Sequence, residues 1–236
     1  VPTIWGIADL HLGGPGEATR ERFGKGWADH RETIARNWRE RVGPGDLVLM
    51  PGDFSAARTH RDVQADLAWL EALPGLKVLS AGNHDRWWNR IEAIRPLLRR
   101  SQRAVGGDAI EVGDVVVCGT RGAPPIGGDP RVLETELESL DRALGAARAL
   151  RRPGQPLYVL WHYPPFDRHG AAGPAVPRLE ATRATACVYG HVHRSAEWSA
   201  MTQGLVRGVR YACVAADAIG FWPLRIEERG RSEGST

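Results

Sequence analysis

The chain has 236 residues, 42% apolar and 25% charged, with a formal net charge of +3. This is the composition of an ordinary globular protein with room for a sizeable core, which excludes fibrous and disordered classes. The weak positive balance rests almost wholly on arginine, with Lys25 and Lys77 the only lysines, and gives nucleic acid little support as a partner.

No apolar run approaches the about 20 residues that span a bilayer, so no membrane partner is expected and a cytoplasmic protein is the default. Cys118, Cys187 and Cys213 are odd in number and lie in apolar, strand-like runs. Buried thiols are the reading; without a CxxC pair no cysteine zinc site is indicated. Nine tryptophans leave room for an apolar interface, but oligomeric state is not legible.

In chain order, Thr3 to Ala8 reads as a first strand running into Asp9-Leu10-His11. In extended chain, i and i+2 face one side, so Asp9 and His11 could point at one ion. Residues 13–26 read as a glycine-rich loop. Trp27 to Val42 has helical spacing, and Gly43-Pro44-Gly45 stops it. Asp46 to Pro51 is a second strand ending in Gly52-Asp53. His60 to Leu73 is an amphipathic helix. Leu76 to Ala81 is a third strand ending in Gly82-Asn83-His84-Asp85, where Gly82 is expected to allow a sharp turn. Strand, polar group, helix, repeated, predicts parallel βαβ units with a site at the carboxyl ends.

Trp87 to Arg99 is expected to be helical, kinked or restarted at Pro96. Ala109–Val112 and Val115–Gly119 flank Gly113-Asp114, a hairpin signal that places antiparallel strands in a second sheet. Arg121, between Gly119 and Gly122, reads either as a bidentate phosphate contact or as a surface arginine. Arg131 to Leu150 is a clear helix. Leu157 to Trp161 is a strand ending in His162-Tyr163-Pro164-Pro165, where proline restricts its neighbours. Phe166 to Pro177 reads as a long covering loop. Ala186 to Tyr189 is a strand running into Gly190-His191-Val192-His193. Val209–Ala215 and Pro223–Ile226 close the fold. One domain over 1–227 is expected, with a polar tail at 228–236.

The strand ends collect Asp9, His11, Asp53, Asn83, His84, His162, His191 and His193. Nitrogen and oxygen donors without thiolate suit Zn, Mn, Fe, Ni or Co. There are too many for one tetrahedral ion. Two divalent ions sharing a carboxylate fit better, and two metals about 3.5–4 Å apart can clamp both oxygens of a phosphoryl transfer. Such a site stays net positive and should attract an anion.

The ordered run Asp-x-His, Gly-Asp, Gly-Asn-His-Asp, His, Gly-His-x-His resembles the calcineurin-like metallophosphoesterase superfamily, over residues 4 to about 195. Gly52-Asp53-Phe54-Ser55 and the run Gly82 to Trp88 resemble its uncharacterised bacterial members, predicted phosphohydrolases. The resemblance implies an α/β fold: a four-layer α/β/β/α sandwich of two mixed sheets flanked by helices. It also implies two divalent metal ions. Asp9, His11 and His193 would hold the first, Asp53 would bridge, and Asn83, His162 and His191 would hold the second. A bridging hydroxide would attack phosphorus in line, with His84 stabilising the transition state or protonating the leaving oxygen.

Many relatives, protein phosphatases especially, carry Gly-Asp-x-x-Asp; here the last position is Ala56, which argues against a protein phosphatase. No carboxylate is assigned to orient His84, with Asp85 a candidate. The expected activity is hydrolysis of small phosphoesters, phosphodiesters favoured, with Asn83, His84 and Arg121 contacting substrate. The alternatives are a phosphomonoesterase or nuclease, and a non-catalytic interaction protein on the same fold. A structural metal site is disfavoured because strand-end ligands lie open to exchange.

Overall fold

A computed structural model of the chain describes residues 2–13 and 23–226. Most of the predicted 13–26 loop and the 228–236 tail lie outside the described residues. The strands are β1 (Ile4–Gly6), β2 (Leu47–Pro51), β3 (Leu76–Ser80), β4 (Gln102–Ala104), β5 (Asp108–Val112), β6 (Val115–Thr120), β7 (Leu157–Trp161), β8 (Ala186–Tyr189), β9 (Gly204–Val206), β10 (Val209–Cys213) and β11 (Leu224–Arg225). The α-helices are α1 (His30–Arg41), α2 (Gln64–Glu71), α3 (Ile91–Ile94), α4 (Pro130–Leu150), α5 (Ala175–Ala181) and α6 (Ser195–Trp198).

Two mixed sheets form, ordered β11-β1-β2-β3-β4 and β5-β6-β7-β8-β10-β9. In the first, β1 to β4 run parallel and β11 is antiparallel. In the second, β6, β7, β8 and β10 run parallel, while β5 and β9 are antiparallel edges. The layers follow from strand alternation. On β2, Leu47 and Leu49 face the second sheet, while Val48 and Met50 face α1 and α2. On β7, Tyr158 and Leu160 face the first sheet, while Leu157, Val159 and Trp161 face α4 and α5. Three apolar interfaces thus separate four layers, the predicted α/β/β/α sandwich.

Local sequence explains the best-formed elements. α4 starts at Asp129, whose side chain accepts from Arg131 N–H (2.9 Å), with Pro130 in its first turn. Leu140, Ala143, Leu144 and Ala147 then bury one stripe on the second sheet. The predicted hairpin is present, pairing Val112 with Val115. All three cysteines are buried and unpaired, and burial pushes the Cys118 thiol up to about 12.

Several boundaries differ from expectation. β1 stops at Gly6, and Ala8 makes only a single bridge, to Ala215. The helix expected over Trp87 to Arg99 is instead the four-residue α3 and a 3-10 turn, Arg95–Leu97, holding Pro96. Proline there removes a donor and clashes with the preceding turn, so the apolar spacing never propagates a helix. The expected helix from Trp27 begins at His30, and that from His60 begins at Gln64. The expected loop to Pro177 already contains the start of α5. No helix among the described residues is long and apolar enough to cross a membrane.

The inter-sheet core carries the fold. Leu160 is fully buried between the sheets. Leu160→Ala is expected to cost about 2–5 kcal/mol of unfolding free energy in a denaturant titration.

Candidate metal centre

The carboxyl ends of β1, β2, β3, β7 and β8 meet at one place. The sheets are stitched there: Ala8 N–H donates to Val214 O (2.8 Å) and Ala216 N–H donates to Ala8 O (3.0 Å). The segment that carries Asp9 therefore belongs to both sheets. Asp9 N–H also donates to Gly52 O (3.0 Å), and His11 N–H to Asp53 O (3.0 Å).

Two donor groups result. Asp9, His11 and His193 form one; Asp53, His162 and His191 form the other, with ligand atoms in each group within 4.8 Å of one another. Asp53 Oδ2 lies between them, 3.7 Å from His11 Nε2 and 3.5 Å from His162 Nε2. Asn83 Oδ1 completes the second group, 2.9 Å from His162 Nε2 and 3.0 Å from His191 Nδ1. His84 stands alongside, its ring centroid 5.5 Å from that of His11, and it lines the open groove above.

Each carboxylate divides its labour. Asp53 Oδ1 accepts His84 N–H (2.7 Å), and Asp9 Oδ2 accepts His191 N–H (2.9 Å). Asp9 Oδ1 is then left buried with no hydrogen bond, 3.5 Å from His193 Nε2. A fully buried carboxylate oxygen aimed at imidazole nitrogens is a cation ligand in waiting. His162 makes the same point. Its Nδ1–H donates to Pro51 O (2.9 Å), so Nε2 turns a lone pair toward the Asn83 carbonyl oxygen. Two acceptors facing each other are reconciled by a cation, and the backbone bond fixes the tautomer. The donor set fits divalent ions.

Electrostatics agree. Burial pushes the His162 pKa down. Burial and the neighbouring His162 push His191 down to about 4, so both rings are neutral donors. For Asp9, burial alone would raise the pKa, but His193, 3.5 Å away, and the other surrounding imidazoles bring it to about 2. His193 mirrors it: burial opposes its charge, yet the hydrogen bond to Asp217 and the Asp9 carboxylate nearby raise it to about 10. A cation between these two takes over the balance that the His193 proton otherwise provides.

The reason offered for the Asp9–His11 and His191–His193 pairs needs correcting. Those segments are not extended: Asp9, His11 and His191 have φ of 59°, 44° and 74°, and Asp53 has 52°. Such left-handed backbone is uncommon outside glycine and collects at functional sites. Gly82 is likewise needed for space rather than for its turn. A Cβ there would lie 2.2 Å from Asp53 Oδ1, and one on Gly190 2.1 Å from Asp9 Oδ2.

Asp85 does not point at His84. Its buried carboxylate accepts from Ser55 N–H (3.0 Å), Gly82 N–H (2.8 Å) and Trp87 Nε1–H (3.1 Å). It ties the loops after β2 and β3 together, and burial and the nearby Asp53 charge raise it to about 6. Arg121 lies beside Asn83 in an adjoining cleft, ion-paired with Glu136 at 3.2 Å.

Asp217 was not anticipated. Its Oδ2 lies 3.0 Å from His193 Nδ1 and so presents Nε2 to the centre. The signal was there: Asp217 follows the apolar run of β10 as Asp9 follows β1. Phe23 also packs on His11 and His193, at 4.8 and 4.4 Å between ring centroids, and Tyr163 packs on His191 at 4.3 Å.

Residues 2–195 match the family model for calcineurin-like phosphoesterases. The chain belongs to that family. Gene 66 protein of Mycobacterium phage D29 is 40% identical over 85 residues, 35% of this chain and 40% of its own. Its counterpart in phage L5 is 35% identical over 102 residues, 43% of this chain and 45% of its own. The chain thus spans less than half the length of these relatives. Among solved structures, the phosphopantetheinyl hydrolase of Mycobacterium tuberculosis is 13% identical with a TM-score of 0.57, covering 99% of both chains. A protein of unknown function from Aquifex aeolicus is 15% identical with a TM-score of 0.50, covering 95% of both. Both share the fold.

The close approach at Gly190 yields a direct test. Gly190→Ala pushes a methyl group into the Asp9 carboxylate and is expected to weaken divalent-metal affinity about 10–100-fold. Competition against a chromophoric chelator reads it; unchanged affinity would remove Asp9 from the ligand set.

Proposed function

We propose that this chain is a metal-dependent phosphoesterase acting on phosphodiesters. The observation that carries the reading is Asp53 Oδ2 standing between two histidine-rich donor groups beside an open groove. Asp9, His11 and His193 would hold one divalent ion and Asn83, His162 and His191 the other, with Asp53 shared. When bound, the ions supply Lewis-acid stabilisation of phosphoryl oxygens and lower the pKa of water. Mn, Zn, Fe, Ni or Co all suit these donors.

The protein's own part is placement and proton transfer. Asp53 Oδ1, held by His84 N–H, couples the shared carboxylate to the loop that carries the His84 ring. That ring lines the groove and serves as the proton donor to the departing oxygen. Burial of Asp9, Asp53 and His162 keeps water from screening the charges. Phosphodiesters are favoured over monoesters because two clefts adjoin the centre. One is lined by Asn83 and Arg121, the other by Asp53 and His84, so each ester arm has a place.

The test is a paired rate assay on metal-stripped protein with Mn, Zn, Ni or Mg returned. Bis-p-nitrophenyl phosphate is expected to be cleaved faster than p-nitrophenyl phosphate; the reverse order would favour a phosphomonoesterase. His84→Ala is expected to slow alkyl leaving groups about 100-fold or more and p-nitrophenolate much less, since the latter needs no proton. Equal losses on both would rule out the donor role.

A further inference from the structure

The groove beside the centre holds about 720 Å³ and is not built for a polyanion. Asp53, His84, His191 and His193 form its inner end. The apolar lining is Pro124, Pro125, Ile126, Tyr163, Phe166 and Met201, with Tyr163 packed on His191 at 4.3 Å between ring centroids. Ile126 is 67% exposed, more than the other exposed large apolar side chains Val132, Leu150 and Leu205. It follows Pro124 and Pro125, which line the groove with it. Covering it with an apolar ligand group would be favourable.

The lysine-free lining balances its arginines with carboxylates. Arg168 and Arg194 are there, and so are Asp167 and Glu197. Arg194 is paired with Glu197 at 3.7 Å, and Asp167 Oδ1 accepts His169 N–H and Ala171 N–H, both at 2.8 Å. A nucleic-acid track would need unpaired cations following the backbone phosphates. With two divalent ions bound, the donor cluster would be net positive, and the same groove carries a hydrocarbon lining.

We infer that the groove receives a hydrocarbon arm of the substrate, which is an amphiphilic phosphoester: an anionic phosphoryl head at the metal centre and an apolar chain along Pro125 and Ile126. This rests on the phosphoesterase reading above. The two parts adjoin, because Tyr163 of the apolar lining packs on His191 of the donor cluster at 4.3 Å, and that contact points to an occupant carrying both chemistries. A groove of this volume matches the about 300–1,000 Å³ of sites that enclose whole organic ligands.

The experiment measures inhibition of the metal-replete full chain by methyl-, butyl- and octylphosphonate. The substrate is whichever p-nitrophenyl ester it turns over. A fully buried methylene gives up to about fourfold in affinity. With part of the chain exposed, octylphosphonate is expected to inhibit at least about 100-fold more tightly than methylphosphonate. Ile126→Asp is expected to flatten that gradient, whereas Leu150→Asp, an exposed apolar position at the far end of α4, leaves it as in wild type. Equal inhibition by all three phosphonates overturns the inference while leaving the phosphoesterase reading intact. A gradient insensitive to Ile126→Asp places the chain elsewhere and also overturns it. Turnover of neither ester with any metal overturns the phosphoesterase reading, and this inference with it.

Discussion

Asp9 and Asp53 each spend one carboxylate oxygen on a backbone N–H and turn the other toward the imidazole cluster. Asp9 Oδ2 is held by His191 N–H, and Asp53 Oδ1 by His84 N–H. These two charge-assisted bonds fix the aim of the ligand oxygens and the path of the loops that carry the other donors. Much of the surrounding structure serves them. Gly82 and Gly190 leave the space that the carboxylates fill. Asp85 ties Gly82, Ser55 and Trp87 together from behind.

The four-layer architecture makes this possible. Each parallel strand delivers one polar turn at the same end, but a single sheet would spread those turns in a line. Facing two sheets across one apolar core brings two lines together, and the Ala8–Val214–Ala216 hydrogen bonds close the gap between them. The cost is local strain. Asp9, His11, Asp53 and His191 are all held at positive φ, a conformation that persists only when its surroundings over-determine it. Here the hydrogen bonds to Gly52, Asp53 and Val214 carbonyls supply that constraint.

Much of this was legible in the sequence. Each donor-bearing turn follows an apolar run, and the order of those turns along the chain was enough to imply the family, the two-sheet sandwich and the gathering of Asp9 with His193. The geometry within the turns was not legible, because left-handed backbone at Asp9 or His191 has no signature in composition. Alternation along a strand gave a sound expectation from an unsound premise. Asp217 escaped because it carries no accompanying histidine or glycine, although it follows β10 as the others follow their strands. The Trp87–Arg99 region failed differently: its apolar spacing was real, but the chain turns at Trp87 to bury that ring against Asp85 and Phe54, and Pro96 blocks the rest. The Arg121 cleft and the Ile126 groove are built from loops whose course composition does not specify.

The central claim is that one carboxylate joins two ion sites. The measurement that tests it most directly is metal content after reconstitution and equilibrium dialysis, read by mass spectrometry on wild type and on Asp53→Ala. The account predicts two divalent ions per wild-type chain, and about one or fewer on Asp53→Ala, because that substitution removes a ligand from both sites at once. A wild-type chain that retains a single ion, or an Asp53→Ala chain that still retains two, would contradict it.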